Sequence, residues 1–166
     1  MSALLDYLQR IRKMDNRGAL ADLRCALIES RRRRAWPLLG PFGGIGEKHP
    51  AQVVQTIAGM FAHHPLLTDK GNLGDTCRDL MSPDEREEYL KERKAGPMTR
   101  RFQHILAASR DEVCDRVARL VLLAKSREKP VNYGQLENDL FHWSDSVRVR
   151  WAKSFWQAEE QEEDVL

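Results

Sequence analysis

Cysteine is scarce, and no long apolar run interrupts the chain. The three cysteines, Cys25, Cys77 and Cys114, are odd in number and scattered across 166 residues. Such a set supplies no disulfide framework and fits a reducing, cytoplasmic setting. No apolar stretch approaches the roughly 18 residues of a membrane span. The first residues also lack the basic-then-apolar order of a secretory leader, so neither an anchor nor a leader is expected. Strand patterning is missing too, because no run of four or more β-branched residues alternates cleanly with polar ones. Cys-x-x-Cys, His-x-x-x-His and His-Glu-x-x-His are all absent. No metal and no cofactor is therefore expected.

Charge is plentiful at 31% of residues, while 42% hydrophobic content is too high for a disordered chain. The net charge of +2 hides a strong asymmetry. All 27 basic residues precede Gln157, against 20 acids there, which makes a body of +7. Glu159, Glu160, Glu162, Glu163 and Asp164 form an acidic tail within 157–166. Residues 1–34 carry nine Lys/Arg against four acids, including the run Arg31, Arg32, Arg33 and Arg34. Residues 99–129 carry eight against four. Clusters of this kind point to a polyanionic partner or to solvated helix faces.

Nearly every segment reads at helical period. Leu4, Leu5, Leu8 and Ile11 make one stripe, and Leu20, Leu23, Leu27 and Ile28 a second that ends near the arginine run. The Pro- and Gly-rich segment 36–44 is expected to be an irregular loop that seats Phe42 between helices. Pro50 suits a helix start, and Val53, Val54, Ile57, Ala58 and Phe61 form one face until Pro65. Ser82 with Glu85, and Ser109 with Glu112, have capping-box spacing. The helix after Ser82 is almost wholly charged and reads as a solvated excursion. Val113, Val117, Leu120, Val121 and Ala124 line the clearest long helix, and Val147, Trp151, Phe155 and Trp156 a final one. The fold class expected is all-α, with eight or nine helices in two small helical bundles. Residues 1–81 would form the first bundle, 82–97 the charged linker, 98–156 the second bundle and 157–166 the tail.

Signatures of chemistry are weak. The glycines of 40–48 miss the phosphate-binding loop, since Glu47 precedes Lys48 and no Ser or Thr follows it. His63 and His64 are adjacent, so on a helix they diverge by about 100° and cannot share a metal. A hydrolase using His63, His64 or Cys114 is an alternative without any supporting motif. Trp143, Trp151 and Trp156 offer stacking surfaces for unpaired bases, but Trp151 and Phe155 stand four apart, the spacing of a bundle core. The chain is not expected to be an enzyme or to bind a small-molecule substrate.

The basic residues carry the best functional signal. Arg116 and Arg119 share a face away from Val113, Val117 and Val121. Arg100 and Arg101 begin the preceding helix, Arg110 lies at the junction, and Arg24 projects beside the second apolar stripe. Such a scatter suits a groove that holds phosphates rather than a helix that reads bases. The alternative is a protein-interaction module whose arginines meet acidic partners.

Several stretches, in order, resemble the CasB family, the small subunit of the type I-E CRISPR surveillance complex Cascade. They are ALADLR at 19–24, WPLLGPF at 36–42, NLG at 72–74, RFQHIL at 101–106 and VARLV at 117–121. PVNY at 130–133, DLFHW at 139–143 and RWAKSFW at 150–156 complete the set. The resemblance implies a non-enzymatic helical subunit in the prokaryotic cytoplasm, with no membrane contact. Its partners would be the backbone and large Cascade subunits, a second copy of itself, CRISPR RNA and the displaced single-stranded DNA. Arg24, Arg101, Arg110 and Arg119 match basic positions of that family, and Lys48 and Arg148 extend the set. Cys25 and Asp145 depart from it, standing where a basic residue would suit the groove. The acidic tail would lie over the groove and compete with non-specific polyanions, or serve only as a solubilising terminus.

Overall fold

The computed structural model describes residues 2–157. The acidic tail and its five carboxylates lie outside the described residues. Among the described residues, ten α-helices run in the order α1 (Ala3–Lys13), α2 (Arg17–Arg24), α3 (Trp36–Leu39), α4 (His49–His63) and α5 (Leu73–Asp79), then α6 (Pro83–Glu92), α7 (Pro97–Leu106), α8 (Arg110–Ser126), α9 (Tyr133–Phe141) and α10 (Asp145–Trp156). Among the described residues the only β-pairing is an isolated parallel bridge between Leu67 and Val131. The all-helical class is as expected, with more helices than the eight or nine read from the periodicity.

One difference adds a helix and another reroutes the chain, and both have local causes. The second helix stops at Arg24, and 3-10 turns at Cys25–Leu27 and Glu29–Ala35 carry the arginine run. The segment 36–44 is not irregular, because Pro37 sits near the start of α3, where its missing N–H is no loss. A 3-10 turn at Gly40–Phe42 follows and ends at Gly43 in the left-handed region, φ 78°. Phe42 packs on Tyr7 with ring centroids 5.0 Å apart. Gln55 anchors the glycine loop by donating to the Gly44 and Gly46 carbonyls at 2.9 Å each.

The packing turns on α4, which is buried from Val53 to Ala62. It packs against α1 and α2 on one side and against α8 and α9 on the other. Helix α10 lies on α5, so the apolar core runs without a break across both halves of the chain. Gly59 allows the close approach beside α2, since a Cβ there would come within 2.7 Å of Leu27. Trp143 and Trp151 are core residues, tilted against each other at 5.1 Å.

The charged helix α6 is more than a solvated excursion. Glu85 is buried, and its carboxylate accepts from the backbone N–H of Met98 at 3.0 Å and of Thr99 at 3.1 Å. These are orphan donors of the first turn of α7, so α6 caps its successor.

Candidate nucleic-acid interface

Helices α7 and α8 are joined by a short junction at 107–109 and pack against each other. Ser109 caps α8 through a reciprocal box with Glu112. The Ser109 hydroxyl and backbone hold the Glu112 carboxyl below its usual range, with Arg116 adding to the effect. Between the helices lies a groove of about 440 Å³, lined by Arg101, His104, Ile105, Arg116, Arg119 and Leu120. Ile105 and Leu120 are buried and form an apolar floor, while Arg101, His104 and Arg119 are exposed around it.

The cations of this groove are not equivalent. Arg116 has a side chain only 17% exposed and is paired with Glu112 one turn away. It also donates to the His104 carbonyl at 2.6 Å, so its guanidinium ties α8 to the last turn of α7. Arg101 and Arg119 pair with no carboxylate among the described residues and are free to meet an anion. Arg119 also borders a second cleft of about 250 Å³ with Arg32, Asp115, Thr56 and Leu122. Arg32 enters this surface from the arginine run, 3.9 Å from Asp115. Its placement was not legible in the sequence, because only the 3-10 path after Arg24 carries the run over to α8. His104 was missed as well; its position three residues after Arg101 was the available signal.

The remaining sequence candidates lie outside the groove lining. Arg24 is exposed on α2, where its Nε donates to the Ala62 carbonyl at 3.2 Å. Arg100 is exposed on α7. Lys48 is the exposed N-cap residue of α4, and the next residue, His49, reaches the Arg110 carbonyl at 3.1 Å and the Leu140 carbonyl at 2.6 Å. That contact brings the chain at Lys48 beside the start of α8, where Arg110 is exposed. Arg148 is engaged internally. It donates to the Leu106 and Ala108 carbonyls at 2.8 Å, pairs with Asp145 at 2.9 Å and lies over the Trp143 ring at 4.8 Å. Asp145, a departure from the basic pattern, is thus the partner of Arg148.

Two residues named for the hydrolase alternative, Cys114 and His64, lie in the interior. Burial pushes the Cys114 thiol up to about 11 and the Cys77 thiol higher still. His64 is buried against the Lys129 carbonyl at 2.6 Å. Among the described residues, no group of three or more His, Cys, Asp or Glu could hold a metal ion. No described helix is long and apolar enough to cross a membrane.

Three solved structures share the fold. CasB from Thermus thermophilus matches with a TM-score of 0.70 and 21% identity, over 95% of this chain and 100% of that one. A CRISPR-associated protein of the Cse2 family, also from Thermus thermophilus, gives 0.73 and 22%, over 95% and 100%. CasB from M. ruber gives 0.67 and 20%, over 99% and 98%. No curated protein matches this chain. The model of the family CRISPR-associated protein Cse2 matches residues 19–156, from the second helix to the end of α10. By that match, which covers most of the chain, it belongs to the Cse2, or CasB, family of CRISPR-associated proteins.

Proposed function

We propose that the chain is a non-catalytic subunit of the type I-E CRISPR surveillance complex Cascade. In this reading it scaffolds the assembly and stabilises the R-loop by contacts to the displaced DNA strand that are blind to sequence. Its partners are the backbone and large subunits, a second copy of itself, CRISPR RNA and that single strand. The observation that carries the reading is the α7–α8 groove, with a histidine and two guanidinium groups that pair with no carboxylate among the described residues, around an apolar floor. Arginines presented this way bind phosphate oxygens, which give affinity and orientation without reading bases. R-loop formation is a near-balanced exchange of duplexes, so a few backbone contacts are enough to tip it. Arg24, Lys48, Arg100 and Arg110 supply flanking phosphate contacts. Arg116 and Arg148 act chiefly by fixing the groove walls.

The test is R101A/R119A in the assembled complex, with displaced-strand protection and R-loop lifetime as readouts. The double variant should shorten the lifetime and flatten the salt dependence by about one unit of slope per lost phosphate contact. Unchanged protection and slope would overturn the groove assignment. A salt-insensitive complex without crosslinks from this subunit to nucleic acid would favour the protein-interaction alternative.

A further inference from the structure

The α7–α8 groove holds more than a phosphate needs. Phosphate contacts ask for exposed cations and no recess. This groove is recessed, and its volume of about 440 Å³ falls in the small-ligand range of about 300–1,000 Å³. Ile105 and Leu120 make its bottom apolar. His104, one turn after Arg101 on the same face of α7, is exposed and is the aromatic group of the lining. Arg116 is withdrawn from anion binding, since it pairs with Glu112 and donates to the His104 carbonyl at 2.6 Å. That tie fixes the backbone from which the imidazole projects, so the wall is in place before any ligand arrives.

We propose that the groove houses an unstacked nucleobase of a single strand, with the His104 ring against its face and Arg101 and Arg119 on the phosphates to either side. The proposal rests on the reading of this groove as a contact for the displaced strand, and it names the part of the strand that enters. Charge complementarity selects the ligand class. Neither Arg101 nor Arg119 pairs with a carboxylate among the described residues, and both border the same recess. A nucleotide unit brings a flat apolar face together with anions on both flanks. Every base has such a face, so the pocket accepts any sequence, in keeping with the phosphate contacts at its rim. A base inside a duplex is excluded, because it enters only after unpairing and unstacking. A displaced strand has already undergone both steps. The groove therefore recognises the unpaired state of the strand rather than its charge alone, and no bond of the nucleic acid changes.

The test uses the full chain at about 50 mM salt, where phosphate contacts are strong. Two single-stranded probes of equal length and charge are compared, an oligothymidylate and the same backbone carrying abasic tetrahydrofuran sugars. The oligothymidylate should bind at least about fivefold tighter, the lower end of base–aromatic stacking. H104A should bring that ratio close to one; the His104 carbonyl that holds Arg116 is retained in this variant, so the groove wall stays. R101A/R119A should weaken both probes. Equal affinities of the parent chain for the two probes overturn the base site and leave the phosphate reading standing. A ratio that survives H104A puts the base elsewhere and overturns this pocket. An oligoglutamate that competes as well as the oligothymidylate makes an acidic peptide the occupant and likewise overturns it. Absence of any nucleic-acid binding overturns both this site and the functional reading beneath it.

Discussion

The backbone carbonyl of Trp151 lies against Gly74 so closely that a Cβ on Gly74 would stand 2.1 Å from its oxygen. Helices α5 and α10 touch backbone to backbone there, and neither main chain can yield cheaply. G74A should therefore separate the two helices at a cost of about 1–3 kcal/mol or more. Thermal unfolding would fall by roughly 2–4 °C per kcal/mol for a chain of this size. An unchanged melting temperature would contradict the close approach.

Glu85 gives a second prediction. E85A removes the carboxylate that receives the Met98 and Thr99 N–H groups, leaving buried donors without partners. The expected loss is about 1–3 kcal/mol, with E85Q less severe because one acceptor oxygen remains. Hydrogen exchange at the first turn of α7 should accelerate in E85A more than in E85Q.

Asp139 is 1% exposed and accepts from Trp151 Nε1 at 2.8 Å, Gln135 Nε2 at 2.9 Å and Arg150 at 3.1 Å. D139A should destabilise by about 2–3 kcal/mol, since the indole N–H is left buried without an acceptor. R150A should cost much less, because that arginine side chain is 54% exposed and its pair is screened by solvent. Denaturant midpoints of the two variants test the ordering.

His63 makes stability pH-dependent in the free chain. Its folded value lies below the unfolded one, so the unfolded state binds more protons in the interval between them. This contribution is full above the ordinary histidine value of about 6.5 and is lost as pH falls through the interval. H63Q should flatten the acid side of a stability profile measured between about pH 5 and 7.5. A profile identical to that of the parent would remove His63 as its cause.

Helix periodicity was readable because α1, α8 and α10 each bury one stripe, so Leu8, Val117 and Trp151 stand at the spacing their burial requires. The caps at Ser82 and Ser109 were equally legible, being local chemistry. The groove was half legible. Arg116 and Arg119 lie on one helix and Arg101 on its neighbour, so their proximity follows from a short junction. What the sequence does not display is which cations are already engaged. Arg148 looks like any surface arginine until the fold brings the Leu106 and Ala108 carbonyls to it. Glu85 is likewise one acid among many until the chain returns Met98 and Thr99 to its carboxylate. The first depends on packing between distant parts of the chain and the second on the turn between α6 and α7, and periodicity encodes neither.

Helix α4 runs through the molecule buried on every side along most of its length, with Tyr133 clamping its last turn at the Met60 and His64 carbonyls. Its amides are reachable by solvent only when neighbours from both ends of the chain let go together. Opening of one half alone would strand the other without its shared wall. The molecule should thus melt as one cooperative unit, with the slowest hydrogen exchange along α4. The arginines on α2, α7 and α8 are accordingly mounted around a stiff axle, and the spacing of their charges is set by the fold itself.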